Sequence, residues 1–374
     1  MTRSFRIGRL FGIDIEIDYT WFIVFFLVAA SLSTSVLAQR LPGLSLGARW
    51  LVAGITTLLF FASVLLHELS HSVVARRSGL GIAGITLFLF GGVSKMSDEP
   101  KSPGVEFRIA IAGPLASMAL AFVFLGIAHL VRPAPGGDVL NTVFTSLGWV
   151  NGMLAIFNLL PGFPLDGGRV LRAGLWRAMG SLAEATRIAA TFGHALGLLM
   201  IVGGIMLFAL SGDFRVLWLA FIGWFLIQAA QSSYQQVVLR QAISGVPVGT
   251  VMTGDVDWVP ADTPLDRIVN DYVMRHNHPA FPVFDGERLI GLLCLGDIRK
   301  VPQERWPQVT VREATPPLSQ ANTISPQADA WEALVRMSAE SCGRLLVVED
   351  GMLRGIISRT DIMRLMRHRL ELGL

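Results

Sequence analysis

The chain has 374 residues, of which 52% are hydrophobic and only 16% charged, and its mean hydropathy is +0.54. Such a composition excludes an ordinary soluble enzyme and indicates several membrane spans. The formal net charge is only +3, and without a Lys/Arg run interleaved with aromatics nucleic acid is not an expected partner.

In chain order, no cleavable signal peptide is expected, because the first apolar run follows "RIGRLFGIDIEID" and has no small-residue cleavage site after it. Six segments meet the requirement of about 20 mostly apolar residues, at about 18–38, 50–75, 107–131, 141–161, 191–211 and 214–234. The fourth ends in "NLLPGFPLDGGR", where Pro161 and Pro164 break the helix near the membrane boundary, so the irregular backbone there must be buried in protein or line a wet cavity. With the N terminus inside, the inner segments hold Arg3, Arg6, Arg9, Arg76, Arg77, Lys95, Lys101, Arg108, Arg169, Arg172, Arg177, Arg187 and Arg240. The outer ones hold only Arg40, Arg49, Arg132 and Arg215. This bias puts both termini in the cytosol.

The second span carries His67-Glu68-Leu69-Ser70-His71 inside an otherwise lipid-compatible run. Residues i and i+4 share a helix face, so the two imidazoles can serve one cation while Glu68 stands beside them as a general base toward water. Ionisable groups within a span are costly, which makes a functional reading the default. His67 lies nine residues before Arg76, placing it on the order of 13 Å in from the cytosolic edge at about 1.5 Å per residue. A catalytic zinc takes three protein ligands and keeps one open position. Asp166, just before the inner Arg169 at the end of the fourth span, meets the depth requirement; the competing reading is a helix or turn cap. Gly167 and Gly168 permit close backbone approach, and the Asn158 amide is either an oxyanion donor or a polar contact between spans.

The stretch 80–97, "LGIAGITLFLFGGVSKMS", is too broken by glycine to span, and the alternation in "ITLFLF" predicts a short hairpin dipping in beside the site. His129, His194, His276 and His278 lack the ligand spacing and are expected to be packing or surface residues.

Together HELSH, "LFLFGGVSKM", "AGPLAS" and "NLLPGFPLDGG" resemble the site-2 protease family of intramembrane zinc metalloproteases, over residues 5 to about 240. The resemblance implies one Zn2+ per chain, held by His67, His71 and Asp166, with Glu68 as general base and Asn158 as a substrate or transition-state contact. It also implies that the hairpin receives the substrate as an added strand. Ser117 departs from the Asn that several relatives carry, a change expected to leave the catalytic core untouched.

From residue 247 the composition turns soluble and repeats: "GLLCLGDIRKV" at 291–301 matches "GIISRTDIMRL" at 355–365, each preceded by a helix, an apolar strand and a turn. This order resembles a pair of CBS domains, with repeats at 247–302 and 308–368. The resemblance implies an adenine nucleotide held through Asp297 and Asp361, with Ser358 and Thr360 at the hydroxyl positions of the second copy; the first copy has Cys294 and Gly296 there. The competing reading is an unliganded dimerisation module, and a homodimer through the CBS pair is expected on it. Cys294 and Cys342 both lie in this third, which is read as a reducing compartment without a disulfide framework.

The expected fold is therefore a polytopic α-helical membrane protein of about six transmembrane helices, residues 1–240, followed by a cytosolic α+β tandem CBS module. The expected function is endoproteolysis of a membrane-spanning or membrane-associated protein, such as an anti-sigma factor, a pro-sigma factor or a signal-peptide remnant. A nucleotide-gated transporter or channel and a catalytically inactive homologue are the alternatives; an intact Glu68 between two histidines is required by neither.

Overall fold

The computed structural model describes residues 4–372 except 90, 97–98, 133–136, 275–277 and 340–341, so His276 lies outside the described residues. The chain divides into two compact units, Met1–Gln235 and Gln236–Leu374.

Six helices of the described residues are long and apolar enough to cross a membrane: α1 (Thr20–Arg40), α2 (Leu46–Arg77), α3 (Pro103–Val131), α4 (Gly137–Asn158), α6 (Leu182–Ser211) and α7 (Phe214–Ile243). Between α4 and α6 lies α5 (Asp166–Met179), a shorter amphipathic helix. The six apolar helices expected from the sequence are present, the fifth beginning at Leu182 rather than 191 and the sixth ending at Ile243 rather than 234; the helix that Asp166 opens was not expected.

The ends of α2 and α3 fix the core of the first unit. Ser45 caps α2 by accepting from the Ala48 amide at 3.3 Å. At the other end Gly79 adopts φ +82°, and the Gly79 and Leu80 amides donate to the Arg76 and Ala75 carbonyls. This is a Schellman stop, closed by the contact of Leu80 with Ala75 and Ile109. Ser102 caps α3, with Pro103 at the first helical position, where a missing amide costs nothing. Lipid tails are as apolar as the side chains, so helices associate here by close packing of small residues. A Cβ on Gly197 of α6 would stand 2.6 Å from the Gly223 carbonyl oxygen of α7, and one on Gly223 would stand 2.5 Å from that of Gly197.

The hairpin expected at 80–97 is formed by β3 (Ile82–Phe88) and β4 (Gly91–Met96). It belongs to a larger sheet that the sequence reading missed. The order is β1-β2-β3-β4, with β1 (Ser4–Leu10) antiparallel to β2 (Ile13–Asp18) and β2 parallel to β3. Period-two alternation in "IDIEID" was the available signal: Ile13, Ile15 and Ile17 are buried and the intervening acids are not. β4 ends the sheet.

Among the described residues the second unit holds two three-stranded sheets, one per repeat. In the first, β5 (Val259–Pro260) runs parallel to β6 (Ala280–Asp285), which pairs antiparallel with β7 (Arg288–Cys294). The second repeats the pattern with β8 (Thr323–Ile324), β9 (Arg344–Glu349) and β10 (Met352–Ser358). The cysteine reading is corrected here. Cys294, at the end of β7, and Cys342, just before β9, form a disulfide with their Cα atoms 6.0 Å apart. They lie 48 residues apart in sequence, but the packing of Leu292 and Cys294 against Leu346 and Ile356 brings the two repeats together at that point.

Candidate metal centre

The structure brings three of the expected site residues to one point. His67 Nε2, His71 Nε2 and Asp166 Oδ2 all lie within 4.8 Å of one another. Each imidazole is 3.1 Å from the carboxylate oxygen, and the two Nε2 atoms are 3.2 Å apart. Both histidines are 4% exposed.

The far side of each ring is held by α3. His71 Nδ1 is 2.6 Å from the Ile109 carbonyl oxygen, which accepts only, so Nδ1 carries the proton and Nε2 offers its lone pair. His67 Nδ1 is 2.9 Å from Ser117 Oγ, a hydroxyl that can accept from Nδ1 when Nε2 serves as the ligand atom. An imidazole lone pair and a carboxylate oxygen facing each other in a buried space repel unless a cation or a proton lies between them. Tetrahedral zinc, with ligand distances of about 2.0–2.1 Å, needs donors roughly 3.3 Å apart, and the observed separations of 3.1–3.2 Å fit it.

Space for the ion comes from glycine. A Cβ on Gly113 would stand 2.2 Å from His71 Nε2 and 2.6 Å from His67 Nε2, so any other residue would occupy the centre itself. Pro114 follows, inside the helix, and has no N–H to give the Ala110 carbonyl one turn back. Asp166 opens α5, and Gly167 and Gly168 press that helix onto the broken backbone after α4: Cβ atoms there would stand 2.2 Å from the Leu159 carbonyl oxygen and 2.3 Å from the Gly162 carbonyl carbon.

Glu68 is half-buried beside its neighbour His67, under the end strand β4; a Cβ on Gly92 would meet its Cγ at 2.4 Å. Asn158 is the last residue of α4 and half-buried, and the hydrogen bonds around the three donors do not include it. The sequence reading missed the roles of Ile109, Gly113 and Ser117, although "AGPLAS" contains two of them. Ser117, expected to be neutral, touches a histidine of the centre.

In the second unit, Ser358 and Asp361 form a reciprocal cap on α8 (Arg359–Glu371): Asp361 Oδ2 accepts from the Ser358 amide at 3.0 Å and hydroxyl at 2.6 Å. Its Oδ1 stands 3.7 Å from Arg364. Asp297 caps Cys294 in the same way, and its other oxygen accepts from Lys300 Nζ at 2.8 Å. Thr360 is exposed.

The family model for peptidase family M50 matches residues 55–134 and 137–202, and that for the CBS domain matches 248–304 and 311–368. A Mycobacterium tuberculosis protein named as the zinc metalloprotease Rip3 is 35% identical over 98% of this chain and 93% of its own. The zinc metalloprotease MJ0392 of Methanocaldococcus jannaschii is 32% identical over 98% of this chain and 97% of its own. The solved site-2 protease from Methanocaldococcus jannaschii covers 62% of this chain and 95% of its own at 33% identity, with a TM-score of 0.44. The class is thus a membrane-embedded, zinc-dependent metallopeptidase. This chain belongs to peptidase family M50, the site-2 protease family, and carries a C-terminal pair of CBS domains.

Proposed function

We propose that the chain is an intramembrane endopeptidase in which His67, His71 and Asp166 hold one zinc ion and Glu68 is the general base. The observation that carries this reading is the convergence of the three donors, with each imidazole held from behind by α3. When bound, zinc polarises a carbonyl and makes water a nucleophile at neutral pH. The chain supplies the remaining work. The Ile109 carbonyl fixes the His71 tautomer, Ser117 orients the His67 ring, and Glu68 takes a proton from the attacking water and returns it to the leaving amine. Asn158 is assigned to the substrate carbonyl through its amide. The outer edge of β4, next to Glu68, takes the substrate as an added strand, which exposes its peptide bonds.

The substrate on this reading is a membrane-spanning or membrane-associated protein: an anti-sigma factor, a pro-sigma factor or a signal-peptide remnant. The excess of Arg and Lys in the inner loops supports cytosolic termini and a cytosolic CBS pair. An adenine nucleotide at that pair controls cleavage, with Asp361 as the main ribose ligand beside Ser358 and Thr360. Asp297 contributes less, because both of its oxygens are already engaged. A homodimer through the CBS pair completes the proposal. The substrate is tested by membrane proteomics on cells expressing the wild type or Glu68→Gln. A fragment cut in or near a membrane segment and absent from the variant supports the reading; identical fragment profiles reject it.

A further inference from the structure

Helix α3 presents a single stripe to the centre. Ser117 meets His67, Gly113 leaves room for both Nε2 atoms, and the Ile109 carbonyl meets His71. One turn before Ile109 the same stripe continues in Glu106, which is fully buried. Its Oε1 accepts from Arg172 Nε at 2.6 Å and also from Nη2. Arg172, only 7% exposed, belongs to α5, the helix that Asp166 opens. Its guanidinium lies 5.0 Å from the ring centroid of Phe163, in the broken segment leading to Asp166. Two histidines are thus held by α3 directly, and the third donor is held through the helix that carries it.

We propose that Glu106 and Arg172 are positioning residues for the metal centre: their ion pair sets the position of α5 on α3 and so places the Asp166 carboxylate against the two imidazoles. Chemistry as well as geometry supports this. A carboxylate and a guanidinium taken out of water gain little net stability over apolar residues of the same volume, so a buried pair is weak evidence for a purely stabilising role. What the pair does supply is a fixed register, because a planar guanidinium sharing one oxygen through two N–H groups tolerates little rotation or sliding. Glu106 Oε2 has no hydrogen-bond partner among the described residues, so the carboxylate is turned wholly to α5 on its Oε1 side. The α5 N terminus cannot drift without breaking this pair.

The inference rests on the assignment of Asp166 as third ligand, and the test separates the two. Full-length protein in detergent is prepared as wild type, Asp166→Ala, Glu106→Gln, Arg172→Lys, the exchanged pair Glu106→Arg/Arg172→Glu, and Asp166→Ala/Arg172→Lys. Zinc affinity is measured by chelator competition, the absorption spectrum of the Co2+-substituted protein reports ligand geometry, and thermal unfolding reports the fold. Arg172→Lys keeps the charge and loses the fork. It is expected to keep its unfolding temperature, to weaken zinc binding by roughly 10–100-fold, as loss of a ligand-orienting partner does, and to shift the Co2+ bands. On the Asp166→Ala background the same change should weaken binding no further, because the pair acts through that carboxylate. An additive loss in the double variant, or a folded Arg172→Lys with wild-type affinity and spectrum, overturns the proposal. If Arg172→Lys or Glu106→Gln does not fold, the exchanged pair decides: a restored Co2+ spectrum supports positioning, and failure to restore it or to fold overturns it. If Asp166→Ala itself binds zinc as well as wild type, the ligand assignment fails instead.

Discussion

The α3 residues that face the two histidines serve either clearance or orientation. Gly113 is the clearance case. A methyl group there would sit 2.2 Å from His71 Nε2, inside the volume that the ion needs, so Gly113→Ala is expected to bind less than a tenth of the wild-type zinc while remaining folded, as read by metal analysis and thermal unfolding. Ser117 is the orientation case. Removing its hydroxyl frees the His67 ring to turn, so Ser117→Ala is expected to weaken zinc binding by about 10–100-fold; chelator competition measures it, and an unchanged affinity would remove Ser117 from the account. His67, Glu68 and His71 stand out in the sequence as ionisable groups in an apolar run, and Asp166 as an acid at matching depth; the structure brings the two histidines and Asp166 to one point. Ile109 does not stand out, because it acts through its carbonyl and a backbone group has no letter of its own.

At the scale of elements, the sequence exposes periodic patterns and hides pairing partners. The six spans follow from runs of apolar residues, and the hairpin β3–β4 from its alternation. The N-terminal hairpin was missed because its role depends on β2 lying parallel to β3, a contact between residues some 70 apart in the chain. The disulfide contradicts the expectation of unpaired cysteines, which rested on their number and placement and not on which segments pack together. Cys294 and Cys342 are 48 residues apart, and only the packing of one repeat on the other brings them together. A cross-link closing a loop of that length restricts the unfolded chain by about 4 kcal/mol in the loop-entropy picture. Reduction of the full-length protein is therefore expected to lower the denaturant midpoint of the second unit and to leave that of the first unchanged, with hydrogen exchange resolving the two. Equal midpoints with and without reductant, or peptide masses showing two free thiols before reduction, would refute the pairing.

For the molecule as a whole, a metallopeptidase unit precedes a CBS pair in one chain, with α7 running past the boundary between the two compact units at residues 235 and 236. The repeat signature was legible, but the state of its aspartates was not. Both act as helix caps, and Asp297 has Lys300 and a disulfide-bonded Cys294 beside it, whereas Asp361 Oδ1 stands 3.7 Å from Arg364, at the longer reach of an ion pair. Titration of the full-length protein with AMP, ADP and ATP is accordingly expected to give one site per chain, lost in Asp361→Ala and retained in Asp297→Ala. Absence of binding at millimolar concentration, or equal binding by Asp361→Ala, leaves the module as a dimerisation element. A nucleotide can change cleavage by no more than its differential affinity for the two states that it distinguishes.

The central claim is that Glu68 performs proton transfer at a zinc centre that it does not build. It is tested most directly by purifying wild type and Glu68→Gln, measuring zinc per chain in each, and following cleavage of a single-span protein substrate in the same vesicles. The account predicts one zinc per chain in both proteins and a loss of cleavage of at least about a hundredfold in the variant, the scale of general acid–base catalysis. Cleavage by Glu68→Gln at the wild-type rate with full zinc would contradict it.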